Sequence, residues 1–195
     1  MNTIIAYKEN GYISFLSGGN GYYSNIKLDT KVSGLKVLDN GLVIAMPISP
    51  DMECMLEILN KKLGSDDVEL NEDYLKDTFI PTLYNVLNNL MELETDDDTG
   101  VDTLYERMIV SKENIMYLIN YDFDFWYVPE MIAIGVEQNV INIMLNNNFL
   151  SDNDTKLRMK NLIQVAFKYR KEKMEEFYYL NTKDLKEEEY DRLYI

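Results

Sequence analysis

Short apolar runs separated by Asn-Gly turns open the chain. The segments Glu9-Asn10-Gly11 and Asp39-Asn40-Gly41 each lie between two apolar or alternating runs. An Asn-Gly pair in that position is a strong signal for a β-hairpin, because both residues tolerate the positive φ angles of a tight turn. The pattern therefore predicts two hairpins, with strands at 3–8, 12–17, 31–38 and 42–48.

The periodicity then changes to that of a helix. Ser49, Pro50 and Asp51 form a typical helix start, since serine can cap the helix and proline fits its first turn. Residues 74–91 predict a second helix, in which Pro81 marks a kink or the true start. The apolar positions of the first helix recur on one face and are predicted to be buried: Met52, Met55, Leu56, Leu59 and Leu63.

Strands and helices alternate again in the second half of the chain. One helix is predicted after Gly135, and a longer one is predicted from an acidic cap at 151–154 through Lys171. The strands are predicted at 105–110, 115–120, 131–134 and 177–180. The inward positions of the two helices are Val140, Ile141, Met144, Leu145, Leu157, Met159, Leu162, Ile163 and Ala166.

This order of elements is typical of a layered α+β domain. Strands stand at both ends of the chain, with pairs of helices between them, and no internal repeat or linker divides it. We therefore expect one domain over residues 1–182. Residues 183–195 form a charged tail, for which the pattern predicts a helix.

The charge of the chain excludes two classes of partner. The formal net charge is −15, so nucleic-acid backbones and anionic membranes repel the chain. The longest apolar run, residues 41–48, is too short to span a bilayer, and the first residues lack a secretory signal pattern. We expect a cytoplasmic protein, and the abundance of Asn, Lys, Ile and Tyr favours a low-GC bacterium or its phage.

The residue inventory also excludes several catalytic chemistries. The chain has no histidine and a single cysteine, Cys54, which rules out Ser-His-Asp and Cys-His nucleophiles, internal disulfides and ordinary zinc sites. The helical pattern around Cys54 predicts a buried, unreactive thiol. The acidic segment 94–102 fails the spacing of a calcium loop and is interpreted as solvated, although a hydrolase using a carboxylate-bound metal stays an alternative. No cofactor is expected.

Several segments, in the right order, resemble one known family. The opening, Asn2 to Gly11, resembles the start of mature proteasome β subunits and of the bacterial protease related to them. The segment 31–41 resembles the part of the family that carries the active-site lysine. Further similarities lie at 51–63 (the first helix), 132–135 (a turn of small residues) and 157–169 (a later helix).

The resemblance implies a four-layer αββα sandwich of the N-terminal-nucleophile hydrolase type. In that family the first threonine supplies the attacking hydroxyl, and its free amine acts as the base. A lysine lowers the local pKa values, an aspartate supports the lysine, and a backbone N–H stabilises the oxyanion.

The sequence departs from the family at nearly every one of these positions. The nucleophile position is Asn2, and the supporting aspartate is replaced by Gly18. The glycine that donates to the oxyanion is replaced by Pro47, which has no N–H. Val136 stands where the family has a serine, and only the lysine is retained, as Lys31.

These departures predict a non-catalytic protein that serves as a structural or interaction component. The resemblance implies self-assembly, and the composition favours a phage-encoded protein. We expect protein partners or self-association, with the aromatic segment Tyr121–Val128 as a candidate interface, and no small-molecule substrate. One alternative is a virus-encoded inhibitor that binds a host protein through its acidic surface. Another is a threonine peptidase, which requires processing to expose Thr3. We expect Met1 to be retained, because Asn2 is too bulky for its removal.

Overall fold

The structure is a computed structural model. It describes residues 3–18, 22–23, 26–27, 34–47, 50–90, 93–95, 100, 102–146, 154–168, 177–185 and 188–190. Asn2, Lys31 and Ser49, to which the sequence assigns roles, lie outside these residues.

Strands and helices follow one another along the chain much as the hydrophobic pattern predicts. The first strands are β1 Thr3–Glu9, β2 Tyr12–Gly18, β3 Tyr22–Tyr23, β4 Ile26–Lys27, β5 Leu35–Val37 and β6 Val43–Ala45. The later strands are β7 Glu94–Thr95, β8 Asp102–Thr103, β9 Met108–Lys112, β10 Ile115–Ile119, β11 Phe125–Tyr127, β12 Met131–Gly135, β13 Phe177–Asn181 and β14 Glu188–Tyr190. The helices are α1 Pro50–Leu63, α2 Glu72–Tyr74, α3 Ile80–Leu90, α4 Gln138–Asn146 and α5 Thr155–Lys168, with a π-helical turn Leu75–Phe79 between α2 and α3.

Both predicted hairpins are confirmed. In the first, β1 pairs antiparallel with β2, and the turn places Asn10 at a φ of 49° and Gly11 at 84°. Two successive positive φ angles match the right-handed twist of the flanking strands. In the second, β5 pairs antiparallel with β6.

The strands form two five-stranded antiparallel sheets and two short ribbons. The order is β12-β1-β2-β13-β14 in the first sheet and β11-β10-β9-β6-β5 in the second. The ribbons are β3-β4 and β7-β8. The acidic segment predicted as a loop thus has its two ends paired as strands.

Three apolar clusters lie between the four layers of the structure, which are two sheets and the helices that cover them. The middle cluster lies between the sheets, and the outer two join the second sheet to α1 and α3 and the first sheet to α4 and α5. In β1, Ile4 and Ala6 face the other sheet, whereas Ile5 faces the helices, as the period of two requires. The predicted αββα sandwich is therefore confirmed. No helix among the described residues has the length and apolar character needed to cross a bilayer.

Several local predictions are wrong. Residues 105–107 precede β9 instead of belonging to it, and Glu188–Tyr190 pairs with β13 as an edge strand instead of forming a helix. Cys54, Val140 and Leu157 are exposed, because Cys54 and Leu157 lie opposite the buried face of their helices and Val140 lies at the side of it. In each helix the spacing of apolar residues predicts the buried face correctly, but the predicted face is wider than the one that is buried.

Pro81 lies in the first turn of α3, directly after the π-helical turn. There the N–H of Ile80 donates to the carbonyl of Leu75, five residues earlier. The wider turn falls where proline supplies no N–H for the regular ladder. The helical segment therefore continues through Pro81, with Leu75, Phe79, Leu83 and Leu87 all buried.

Gly34 is packed closely against the backbone of Met46 and the side chain of Ile4, and a substitution at this position tests that packing. It has a φ of 74°, and a Cβ there would overlap the carbonyl oxygen of Met46 and lie 3.2 Å from the Cδ1 of Ile4. We expect Gly34→Ala to lower the free energy of unfolding by about 2–5 kcal/mol, since left-handed backbone costs about 1–2 and overpacking about 1–3. Urea unfolding curves would measure the loss.

Gly64→Ala is the matched control. Its φ is 77°, but nothing lies within 4 Å of the added Cβ, so only the backbone cost of about 1–2 kcal/mol applies. Equal losses for the two variants would contradict the close packing of Gly34 under Met46.

Candidate functional site

Thr3, the first residue of β1, lies between the ends of the two strands that pair with β1. Thr3 is opposite Gly135 of β12 on one side and opposite Gly18 of β2 on the other. Its side chain is fully buried, and its hydroxyl donates to the carbonyl oxygen of Val136. Gly18 and Val136, two of the predicted site positions, therefore flank the start of β1.

Pro47 reaches the same region from the second sheet. The N–H of Met46 donates to the carbonyl of Gly34 over 2.8 Å, which holds the end of β6 beside Gly34. The Met46 carbonyl, and with it the Met46–Pro47 peptide bond, thus lies close to Ile4, the neighbour of Thr3. Pro47 itself is buried. The structure therefore places Gly18 and Val136 beside Thr3, and it places Pro47 next to a carbonyl group that lies near the side chain of Ile4. These are the three predicted positions that the structure describes.

The side chain of Thr3 points to the outer layer of the sandwich. Thr3 shares its face of β1 with Ile5, which packs against α4 and α5. The next residue, Ile4, faces the space between the sheets instead. The Thr3 hydroxyl is thus engaged by Val136 and shielded from solvent, as a structural side chain would be.

Solved structures with the same arrangement of layers exist. Thiobacillus denitrificans BPH matches with a TM-score of 0.70 and 11% identity, over 92% of this chain and 96% of that one. Its complex with epoxomicin gives 0.69 and 10%, over 92% and 97%. Eukaryotic HslV from Trypanosoma brucei gives 0.59 and 14%, over 92% and 98%. The chain has the proteasome-like N-terminal-nucleophile hydrolase fold. No protein-family model and no curated protein sequence matches it.

In this proteasome-like fold, a buried serine hydroxyl lies near the start of β1 that the sequence did not predict as part of the site. Ser17 of β2 is opposite Ile4, fully buried, and its hydroxyl has no hydrogen-bond partner in the part of the chain that the structure describes. The alternation Ile13-Phe15-Ser17 places it on the face that lines the space between the sheets. That alternation was readable in the sequence, whereas the burial of the hydroxyl was not.

Glu106 and Arg107 lie at the same end of the sandwich. Ala45 of β6 is opposite Ile109 of β9, so the residues before β9 are next to those that follow β6. Burial raises the pKa of the Glu106 carboxyl, and the charge of Arg107 lowers it by less. The Arg107 guanidinium lies 5.7 Å from the ring of Tyr121, an attractive cation–π geometry. The sequence carried no signal for either residue, because their placement depends on strand pairing.

The acidic segment is used for a structural contact. The carboxylate of Asp102 accepts hydrogen bonds from the hydroxyls of Tyr84 at 2.7 Å and Thr95 at 2.9 Å. The bond from Tyr84 lowers the pKa of Asp102, helped by the bond from Thr95. Across the described residues, no three acidic, cysteine or histidine side chains are grouped as a metal site would require.

The Thr3 hydroxyl offers a direct test of the structural assignment. We expect Thr3→Val to lower the free energy of unfolding by about 1–2 kcal/mol, because it removes a hydrogen bond made by a buried side chain. Denaturant unfolding followed by tryptophan fluorescence would measure the change.

Thr82→Val is the control for this substitution. The Thr82 hydroxyl donates to the carbonyl of Thr78 over 2.6 Å on an exposed helix surface. Its removal is expected to change stability by less than about 0.5 kcal/mol. If Thr3→Val costs no more than Thr82→Val, the Thr3 hydroxyl is not held by Val136.

Proposed function

We propose that this chain is a non-catalytic protein with a proteasome-like fold, which acts through protein contacts as a structural or interaction component. The observation that carries the proposal is Pro47. The family resemblance puts the oxyanion donor at this position, after the end of β6. The proline nitrogen has no hydrogen to donate.

The energetic consequence of such a loss is large. Removing one oxyanion donor costs about 3–4 kcal/mol of transition-state stabilisation in enzymes where it has been measured. A slowing of several hundred-fold therefore follows from Pro47 alone, at about 1.4 kcal/mol for each factor of ten.

The neighbouring positions support the same proposal. Gly18 has no side chain with which to support a lysine, and Val136 has no hydroxyl. The nucleophile position is occupied by Asn2. The Thr3 hydroxyl, the other candidate nucleophile, is buried and bonded to the Val136 carbonyl. A contact role is supported by exposed aromatic side chains, among which Trp126 is 52% and Tyr127 is 49% exposed.

Peptide hydrolysis tests the lack of catalysis. We expect the wild-type chain to release no fluorophore from short peptide substrates above the rate without protein. Pro47→Gly restores a backbone N–H, and Gly18→Asp adds the missing carboxylate. We expect both variants, singly and combined, to stay inactive, because the attacking group is still absent. Epoxomicin should leave the melting temperature of the wild type unchanged, since a ligand that does not bind cannot stabilise the fold.

One result would overturn the proposal. If the wild-type chain hydrolyses peptides, and folded Thr3→Val loses that activity, then Thr3 serves as the nucleophile and the chain is an enzyme. Retention of the activity in Thr3→Val would instead point to a contaminating protease.

A second candidate function is that of a virus-encoded inhibitor binding a basic host protein. It is favoured by a run of exposed carboxylates from the end of α1 through the π-helical turn. Lys112 binds Asp67 and so lowers the pKa of its carboxyl, and Lys76 lies 3.5 Å from Glu72, but the other acidic groups remain in excess. The exposed carboxylates are Asp66, Asp67, Glu69, Glu72, Asp73 and Asp77.

Matched charge removal tests this second candidate. The variant Asp66→Asn/Glu69→Gln/Asp73→Asn should lose a partner that the wild type retains from a host lysate at low salt. The control Glu53→Gln/Glu57→Gln/Asp184→Asn removes the same charge from other exposed positions and should retain it. Equal binding by the two variants would contradict a specific acidic surface, because general electrostatic attraction depends on total charge.

A further inference from the structure

Strand β11 is an uncharged aromatic edge of the second sheet. It consists of Phe125, Trp126 and Tyr127, and the sheet order places it next to β10 and at the outer edge. Trp126 is 52% exposed and Tyr127 is 49% exposed. An edge strand of this kind offers unpaired backbone groups to another strand.

The hydrogen bonds on either side of β11 identify the backbone groups that point outward. The N–H of Asn120 donates to the carbonyl of Asp124 over 2.8 Å, and that of Val128 donates to the carbonyl of Met116 over 3.0 Å. In an antiparallel ladder the direction of these groups alternates, so Trp126 also bonds to β10. The N–H and C=O groups of Phe125 and Tyr127 therefore face away from β10, where no strand of the described chain covers them.

We propose that β11 pairs antiparallel with β11 of a second copy of this chain, around a two-fold axis at Trp126. The inference deepens the proposed contact function and rests on it. In this register Phe125 is opposite Tyr127 of the second copy. Two outward N–H groups and two outward C=O groups from each copy then form four hydrogen bonds. Trp126 is opposite its own counterpart, at a non-hydrogen-bonded position where the Cα atoms are about 4.5 Å apart.

The charges around β11 limit where a second copy can bind. Copies with a net charge of −15 repel each other, so they can meet only at a surface of low charge, and β11 itself carries none. Asp122 and Asp124 precede β11, whereas the Nζ of Lys8 lies 3.3 Å from the Tyr127 hydroxyl at the other end of the strand. Antiparallel pairing brings Asp124 opposite Val128, at the Lys8 end of the second copy, and leaves the like charges of Asp122 and Glu130 opposite each other beyond the paired strands.

The side chains of Phe125 and Tyr127 are held in place before any association. The Tyr117 ring packs edge-on against Phe125, with centroids 5.9 Å apart, and against Tyr127 at 5.7 Å. The Nζ of Lys76 lies 5.7 Å from the centroid of Phe125. Trp126, opposite Leu118, points to the other face of the sheet. Rigid aromatic side chains lose little conformational freedom on binding, which favours their use at an interface.

Disulfide trapping tests the register. All variants carry Cys54→Ser, because the native thiol is exposed. We expect Trp126→Cys to form a covalent dimer on mild oxidation, since opposed Cα atoms about 4.5 Å apart lie within the range of a disulfide. Phe125→Cys and Tyr127→Cys should stay monomeric under denaturing conditions, because each is offset by two residues from its own copy, beyond the limit of about 7 Å. Equal trapping of the three variants, or none at Trp126→Cys, would overturn the register.

The mass in solution tests the pairing without a disulfide. The wild type should approach twice the chain mass as its concentration rises in sedimentation equilibrium. Trp126→Lys should return to the chain mass, because a charge on an edge strand opposes pairing. Ile143→Lys, which changes a side chain that is 63% exposed on α4, should keep the wild-type mass.

The outcomes separate this inference from the proposed function. A wild-type monomer at every concentration, or an assembly that Trp126→Lys leaves intact, overturns the pairing at β11. Neither result bears on catalysis, which peptide hydrolysis measures independently. Hydrolysis by the wild type that folded Thr3→Val loses would overturn the proposed function even if the β11 dimer forms.

Discussion

Both sheets are covered on both faces, and most of the structure follows from this constraint. A central strand with a sheet on one side and helices on the other has no surface left for charged side chains. Ile4-Ile5-Ala6 in β1 and Val43–Met46 around β6 are accordingly apolar at every position and buried. At about 25 cal/mol for each Å² of apolar surface removed from water, such strands supply much of the stabilisation. The acidic residues are left to helix surfaces, turns, ribbons, and the ends and edges of the sheets.

The same constraint explains which parts of the fold could be predicted from sequence. The hairpin at Asn10-Gly11 and the helix from Pro50 are encoded locally, by turn residues and by the spacing of apolar positions. The sequence predicts too early a start for β9, because Tyr105 is a typical strand residue close to the apolar run 108–110. In the structure the N–H of Leu104 instead donates to the carbonyl of Tyr121, a residue distant in sequence. The tail was misread as helical because Glu188–Tyr190 acquires its conformation only by pairing with β13. Edge strands depend on such distant partners more than central strands do.

The candidate site, like the fold, could be predicted only in part from the sequence. The family resemblance picked out Gly18, Pro47 and Val136 as residue identities, and register together with one glycine contact gathers them around Thr3 and Ile4. The orientation of Thr3 toward the helix layer follows from the period of the strand once its face is known. The buried hydroxyl of Ser17 and the half-buried Glu106 could not be predicted, because their surroundings are made by segments far apart in the chain. The proposed loss of catalysis therefore rests on the identities of single residues, whereas the surroundings of Ser17 and Glu106 depend on the packed sandwich.

The π-helical turn sets a limit on how the segment between α2 and α3 can change in length. Each residue rotates a helix by about 100°, and a π-helical turn holds one residue more than an α-helical turn. The extra residue keeps Leu75 and Phe79 on the same side as Leu83 and Leu87. A deletion of one residue there would rotate everything beyond it by more than a quarter turn and carry the two later leucines off the second sheet. The number of residues in this segment is therefore constrained as tightly as their apolar character, and an insertion tolerated in a surface loop would not be tolerated here.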